Sequence, residues 1–112
     1  MVECFRPIGP EELKLLQDNH FSAWPPRLTG QPFFYPVTNE EYAREITVKW
    51  NVPASGVGYV TRFFVRREFM DAYPVQRVGG ERHTEWWIPA EDLELLNQNM
   101  LGKIEVLSEH NP

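Results

Sequence analysis

Residues 56–65, Gly56-Val57-Gly58-Tyr59-Val60-Thr61-Arg62-Phe63-Phe64-Val65, form the stretch richest in β-branched and aromatic side chains and read as a strand. Strand side chains alternate between faces, so Arg62, Phe64 and Arg66 share one face and Phe63 and Val65 the other. The group Arg62, Arg66 and Arg67 is the main positive cluster. Its plainer reading is a solvated strand face opposite the core; its sharper one is a contact to phosphate or carboxylate.

Towards the C-terminus the chain stays rich in strands. A turn of helix fits 66–73 and a strand fits 75–78. Gly79-Gly80 then signals a hairpin into Arg82-His83-Thr84-Glu85-Trp86-Trp87-Ile88, which stops at Pro89. Trp86 and Trp87 must point to opposite faces, with His83, Glu85 and Trp87 on one and Thr84, Trp86 and Ile88 on the other. One tryptophan fills the core and the other lies against a helix, a partner or a ligand. Residues 90–99 read as a helix with Leu93 and Leu96 inward, and 103–107 as a closing strand.

Towards the N-terminus two strand–helix pairs come first. Residues 2–6 read as a strand stopped at Pro7, followed by a helix from Gly9-Pro10-Glu11-Glu12 with Leu13, Leu16 and His20 on one stripe. Residues 21–32 are a loop, and Phe33-Phe34-Tyr35 is a short strand closed by Pro36. Thr38-Asn39-Glu40-Glu41 matches a capping box with Thr38 as the cap. The helix it opens carries Tyr42, Ile46 and Trp50 on one side and ends before Pro53. Two βα segments and then a strand-rich half imply a single small α+β domain over residues 1–112, not a doubly wound sheet.

Composition bounds the function. With 112 residues, 42 % apolar and 13 % aromatic, the chain has material for a core of its own. A net charge of −5 argues against nucleic acid and anionic membrane as partners. Cys4 is the single cysteine, which rules out an internal disulfide. The chain shows neither a leader-like apolar segment nor a membrane-length run, so a cytoplasmic location is expected. His20, His83 and His110 share no ligand spacing, and no metal is expected. Neither a nucleophile elbow nor a phosphate-binding loop is present; Gly56–Tyr59 lacks the lysine and the following helix.

The segments Tyr35-Pro36-Val37-Thr38-Asn39-Glu40-Glu41-Tyr42-Ala43 and Trp87-Ile88-Pro89-Ala90-Glu91-Asp92-Leu93 resemble small bacterial proteins labelled ADP-ribosylation/crystallin J1. The opening Phe5-Arg6-Pro7-Ile8-Gly9-Pro10 and Pro25-Pro26-Arg27 are similar too, so the likeness spans nearly the whole chain. The order of elements is also similar to the ADP-ribosyltransferase fold. That resemblance implies an NAD site built from an Arg or His on the first strand, an aromatic residue on a strand that enters a helix, and a Glu on a later strand. Arg6, Tyr35 and Glu85 take those places, with Tyr42 on the helix as a further binding residue. NAD is then a substrate, Glu85 the catalytic carboxylate beside the ribose, Tyr35 a stacking partner for nicotinamide and Arg6 a fork for ribose or phosphate. Arg27 is a candidate for the diphosphate from its charge and loop position. The reaction is transfer of ADP-ribose to an unknown protein acceptor, or NAD hydrolysis. Some arginine-modifying members carry Glu or Gln two residues before the catalytic Glu; here that residue is His83.

Each of these residues also has a plainer role: Arg6 paired with a helix carboxylate, Tyr35 and Tyr42 in the core, Glu85 at a solvated rim. The competing functional reading is a non-catalytic protein-interaction or small-ligand module anchored by exposed aromatics.

Overall fold

A computed structural model describes residues 1–112. The stretch 56–65 supplies the middle strand of its main sheet. In chain order the elements are β1 (Val2–Ile8), α1 (Pro10–Asp18), β2 (Phe33–Phe34), α2 (Glu40–Ile46), α3 (Val52–Ser55), β3 (Gly58–Val65), α4 (Arg67–Met70), β4 (Val75–Arg77), β5 (Thr84–Trp86), β6 (Ile88–Pro89), α5 (Leu93–Gln98) and β7 (Glu105–His110). β3 pairs antiparallel with β1 on one side and β7 on the other. The β4–β5 hairpin joins this sheet through Val37, which bridges Phe5 on one side and Glu85 on the other. β2 pairs with β6. The architecture is α+β.

The pleat of β1 divides the core in two. Cys4 and Ile8 join Phe63 and Val65 in the larger cluster, with Leu16 of α1, Trp24, Phe34, Trp86 and the inward leucines of α5. Phe5 points the other way, into a smaller cluster with Val37, Tyr42, Ala43 and Val60. Arg62 lies on the solvent side as the alternation requires, held between Glu3 and Glu105.

Several boundaries differ from the sequence expectation. β1 runs through Pro7 to Ile8 because successive strand residues direct their backbone polar groups to opposite neighbours. Phe5 exchanges hydrogen bonds with Val37, so the missing N–H of Pro7 also faces that side and leaves pairing to β3 intact. The cap of α2 is Asn39, whose side chain accepts from the Tyr42 N–H at 2.8 Å, while the Thr38 hydroxyl pairs with that of Thr84.

The helical path also continues past Pro53. A π turn over Thr47–Asn51 interrupts the ordinary ladder where proline could not have contributed. That turn rotates the helix phase, burying Thr47 and leaving Trp50 70 % exposed instead of inward. Finally, β7 runs to His110, which lies opposite Gly58, beyond the expected strand end at 107. His20 falls beyond α1 with φ of 59°, off the helical stripe.

Candidate functional site

The site begins where two strands part. Phe5 and Val37 are a closed hydrogen-bonded pair, with Phe5 N–H to Val37 O at 3.0 Å and the reverse bond at 2.7 Å. The next bonded position on β1 is Pro7, which has no N–H to offer. Pairing stops there, and a cleft of about 270 Å³ opens, lined by Arg6, Pro7, Tyr35, Val37, Ile46 and Glu85. Three residues chosen from sequence, Arg6, Tyr35 and Glu85, therefore border one cavity. Tyr42 and Arg27 do not line it.

Glu85 is held from two directions. The Tyr42 hydroxyl donates to Oε2 at 3.1 Å, and the Trp87 indole Nε1–H donates to Oε1 at 2.9 Å. The Trp87 contact follows from strand alternation, since residues two apart share a face. The Tyr42 contact needs α2 to cross that face. Each carboxylate oxygen keeps an acceptor position for a further partner. Burial, then the neighbouring Glu85 charge and hydrogen bond, push the Tyr42 phenol up to about 12, so it remains a donor at neutral pH. Tyr42 is thus a support for Glu85 and a member of the smaller core cluster.

Behind Tyr42 stands a clamp that the sequence reading did not identify. The His83 imidazole stacks on the Tyr42 ring with centroids 4.7 Å apart. Its Nδ1 accepts from the Gly80 N–H at 3.0 Å, and its Nε2 meets Glu45 at 2.5 Å. An acceptor role at Nδ1 fixes the proton on Nε2, the nitrogen that faces the carboxylate. Gly79 packs so closely that a Cβ there would sit 2.6 Å from Nδ1. The available signal was the shared strand face of His83 and Glu85, together with Glu45 one turn after Tyr42.

The two arginines sit differently from Glu85. The Arg6 side chain is only 11 % exposed and points to the larger cluster, with its guanidinium 4.5 Å from the Phe34 ring centroid. Nε and Nη2 both engage Glu12 of α1, at 2.7 and 2.9 Å. That bidentate pair occupies one edge of the fork. Arg27 lies over the same phenyl ring at 5.9 Å, and burial, with the nearby Arg6 charge, lowers its pKa.

Tyr35, which lines the cleft, is 39 % exposed, and Trp87, beside Glu85, is 40 % exposed. Phe33 lies between them, 6.1 Å from Tyr35 and 6.3 Å from Trp87 by ring centroids. Trp86, on the opposite face, is buried.

No family model, curated protein or solved structure matches the chain. No helix is long and apolar enough to cross a membrane.

Proposed function

We propose that the cleft binds the nicotinamide–ribose end of NAD and that Glu85 promotes cleavage of the bond between them, in an ADP-ribosyltransferase-like domain. The observation that carries this reading is the lining of one cavity by an aromatic side chain, Tyr35, and a doubly supported carboxylate, Glu85. At about 270 Å³ the cleft falls just below the roughly 300–1,000 Å³ of whole-ligand pockets. It therefore suits one ring and one sugar, with the remainder of the dinucleotide outside.

In this reaction the bond between the ribose anomeric carbon and the nicotinamide nitrogen breaks. The electron pair leaves with nicotinamide, and positive charge develops on the ribose. A carboxylate already fixed beside that charge stabilises it without having to reorganise. The free lone pairs of Glu85 accept from a ribose hydroxyl, while Tyr35 covers the ring. Water or an acceptor nucleophile then attacks the sugar and gives up its proton.

The test is NAD binding by calorimetry followed by nicotinamide release, on wild type, Tyr35→Ala and Glu85→Gln. Binding lost in Tyr35→Ala and release lost in Glu85→Gln support the proposal. No binding at millimolar NAD overturns it. The exposed Tyr35 and Trp87 rings, with the half-buried Phe33 between them, favour one alternative, a protein-interaction module. Its test is loss of a protein partner in Trp87→Ala with nicotinamide release absent in wild type.

A further inference from the structure

A second cavity, about 280 Å³, lies between the first turn of α1 and the loop before β2. Arg6, Gly9, Glu11, Glu12 and Arg27 are among its lining residues. Two guanidinium groups stand over one phenyl ring there, and the ion pairs are unequal. Glu12 is engaged in both its oxygens by Arg6, while Arg27 forms no salt bridge or side-chain hydrogen bond, and its Nε is buried without a partner. Glu11 lines the groove and Glu94 lies on the other side of Arg27, yet neither pairs with it. A half-buried guanidinium with no direct ion pair, beside a second cation and with Glu12 acting on it only at longer range, is unfavourable unless an anion completes it. The first turn of α1 has no side-chain cap and opens on the same groove.

We infer that this groove is a binding site for a phosphate-class oxyanion, with Arg27 as its principal ligand and Arg6 as the second. A diphosphate fits the chemistry better than a lone carboxylate. It carries enough charge to satisfy Arg27 despite Glu11, and enough oxygens to meet the open fork of Arg27 and the remaining nitrogen of Arg6 together. The site does not depend on catalysis at Glu85.

Inorganic pyrophosphate is the probe, titrated into the full chain by calorimetry at low ionic strength. Wild type binds, the affinity falls as salt is added, and Arg27→Gln weakens binding by about tenfold or more, the loss of one charge-assisted contact. Glu12→Gln removes the anion competing for Arg6 and tightens binding by about threefold or more. Thermal unfolding separates this from a structural role: a ligand-binding Arg27 leaves Arg27→Gln melting at or above the wild-type temperature. An absence of binding at millimolar pyrophosphate, equal binding by Arg27→Gln, or a melting temperature that drops in that variant overturns the inference. ADP-ribose as a second titrant identifies the source of the anion. Arg27-dependent ADP-ribose binding assigns it to a nucleotide, and pyrophosphate binding alone assigns it to a free anion. Either result is independent of nicotinamide release and so leaves the Glu85 reading to its own test.

Discussion

Replacing Tyr42 with Phe makes the support of Glu85 measurable through its pH dependence. At neutral pH the substitution removes one hydrogen bond to a carboxylate, 3.1 Å long, while leaving the ring stacked on His83. Bonds of that type contribute about 1.5–3 kcal/mol. Because Trp87 still donates to the other oxygen, the low end, about 1.5 kcal/mol, is expected. Alkaline pH reverses the comparison. The phenol is held up to about 12 in the fold, by burial first and by Glu85 second, from the ordinary tyrosine value of about 10.

The unfolded chain therefore releases this proton first. The contribution of Tyr42 is complete below pH 10, declines by at most about 1.4 kcal/mol per pH unit, and has fallen by roughly 2 kcal/mol near pH 12. Other alkaline groups act equally in wild type and variant, so the difference between their stability curves isolates Tyr42. Urea unfolding at intervals from pH 8 to 12 should show wild type ahead by about 1.5 kcal/mol at first, with the curves crossing near pH 11. Parallel curves throughout, or a Tyr42 phenolate forming at the ordinary tyrosine value, would refute the reasoning.

Burial first, and then the adjacent Glu3 charge, raise the Cys4 thiol to about 12, so a disulfide reagent at pH 8 should leave native Cys4 intact. The same reagent should react once denaturant is added; rapid native labelling would contradict the buried placement. Gly58→Ala places a Cβ 2.6 Å from Thr47 Cγ2 and 2.7 Å from Asn51 Cβ, where β3 packs on the π turn. Overpacking of this kind costs about 1–3 kcal/mol, read as a lower urea midpoint, and an unchanged midpoint would show that the turn yields freely. Gly79→Ala drives a Cβ against the His83 ring and should break the bond from the Gly80 N–H. The His83 and Tyr42 ring signals should then shift together in the NMR spectrum, and signals that stay in place would remove the clamp.

Local order was legible in the sequence, while the joining of segments was not. Alternation along 56–65 and 82–88 sorts Phe63, Trp86 and Glu85 on to their observed faces, because one face of each strand packs and the other does not. The inward leucines of α5 follow from helical spacing in the same way. The π turn left no comparable mark. Trp50 sits at a correct helical interval from Ile46, and only the close approach of Gly58 to Thr47 and Asn51 accounts for the altered phase. Asn39 takes the cap because Thr38 is recruited by Thr84, a residue 46 positions away. A local motif cannot register that competition.

Pro7 shows most directly why the site exceeds what a strand-by-strand reading can supply. A proline ending a hydrophobic run looks like a stop, and with one neighbouring strand it would be one. Here β1 has β3 on one side and the Val37 segment on the other, so the missing N–H ends a single ladder and leaves the second intact. The strand continues while its neighbour departs, and the gap between them is the cleft. The same geometry leaves Glu85 on the cleft alone while Arg6 borders both cavities. Odd positions of β1 face the cluster of Tyr42, whose hydroxyl holds Glu85, whereas Arg6 turns its guanidinium towards Phe34 and Glu12. A ligand reaching from the cleft to the Arg27 groove would pass Arg6, which lines both, whereas Tyr35 lines the cleft alone. Substitution at Tyr35 should consequently weaken a dinucleotide more than it weakens pyrophosphate, which needs only the groove.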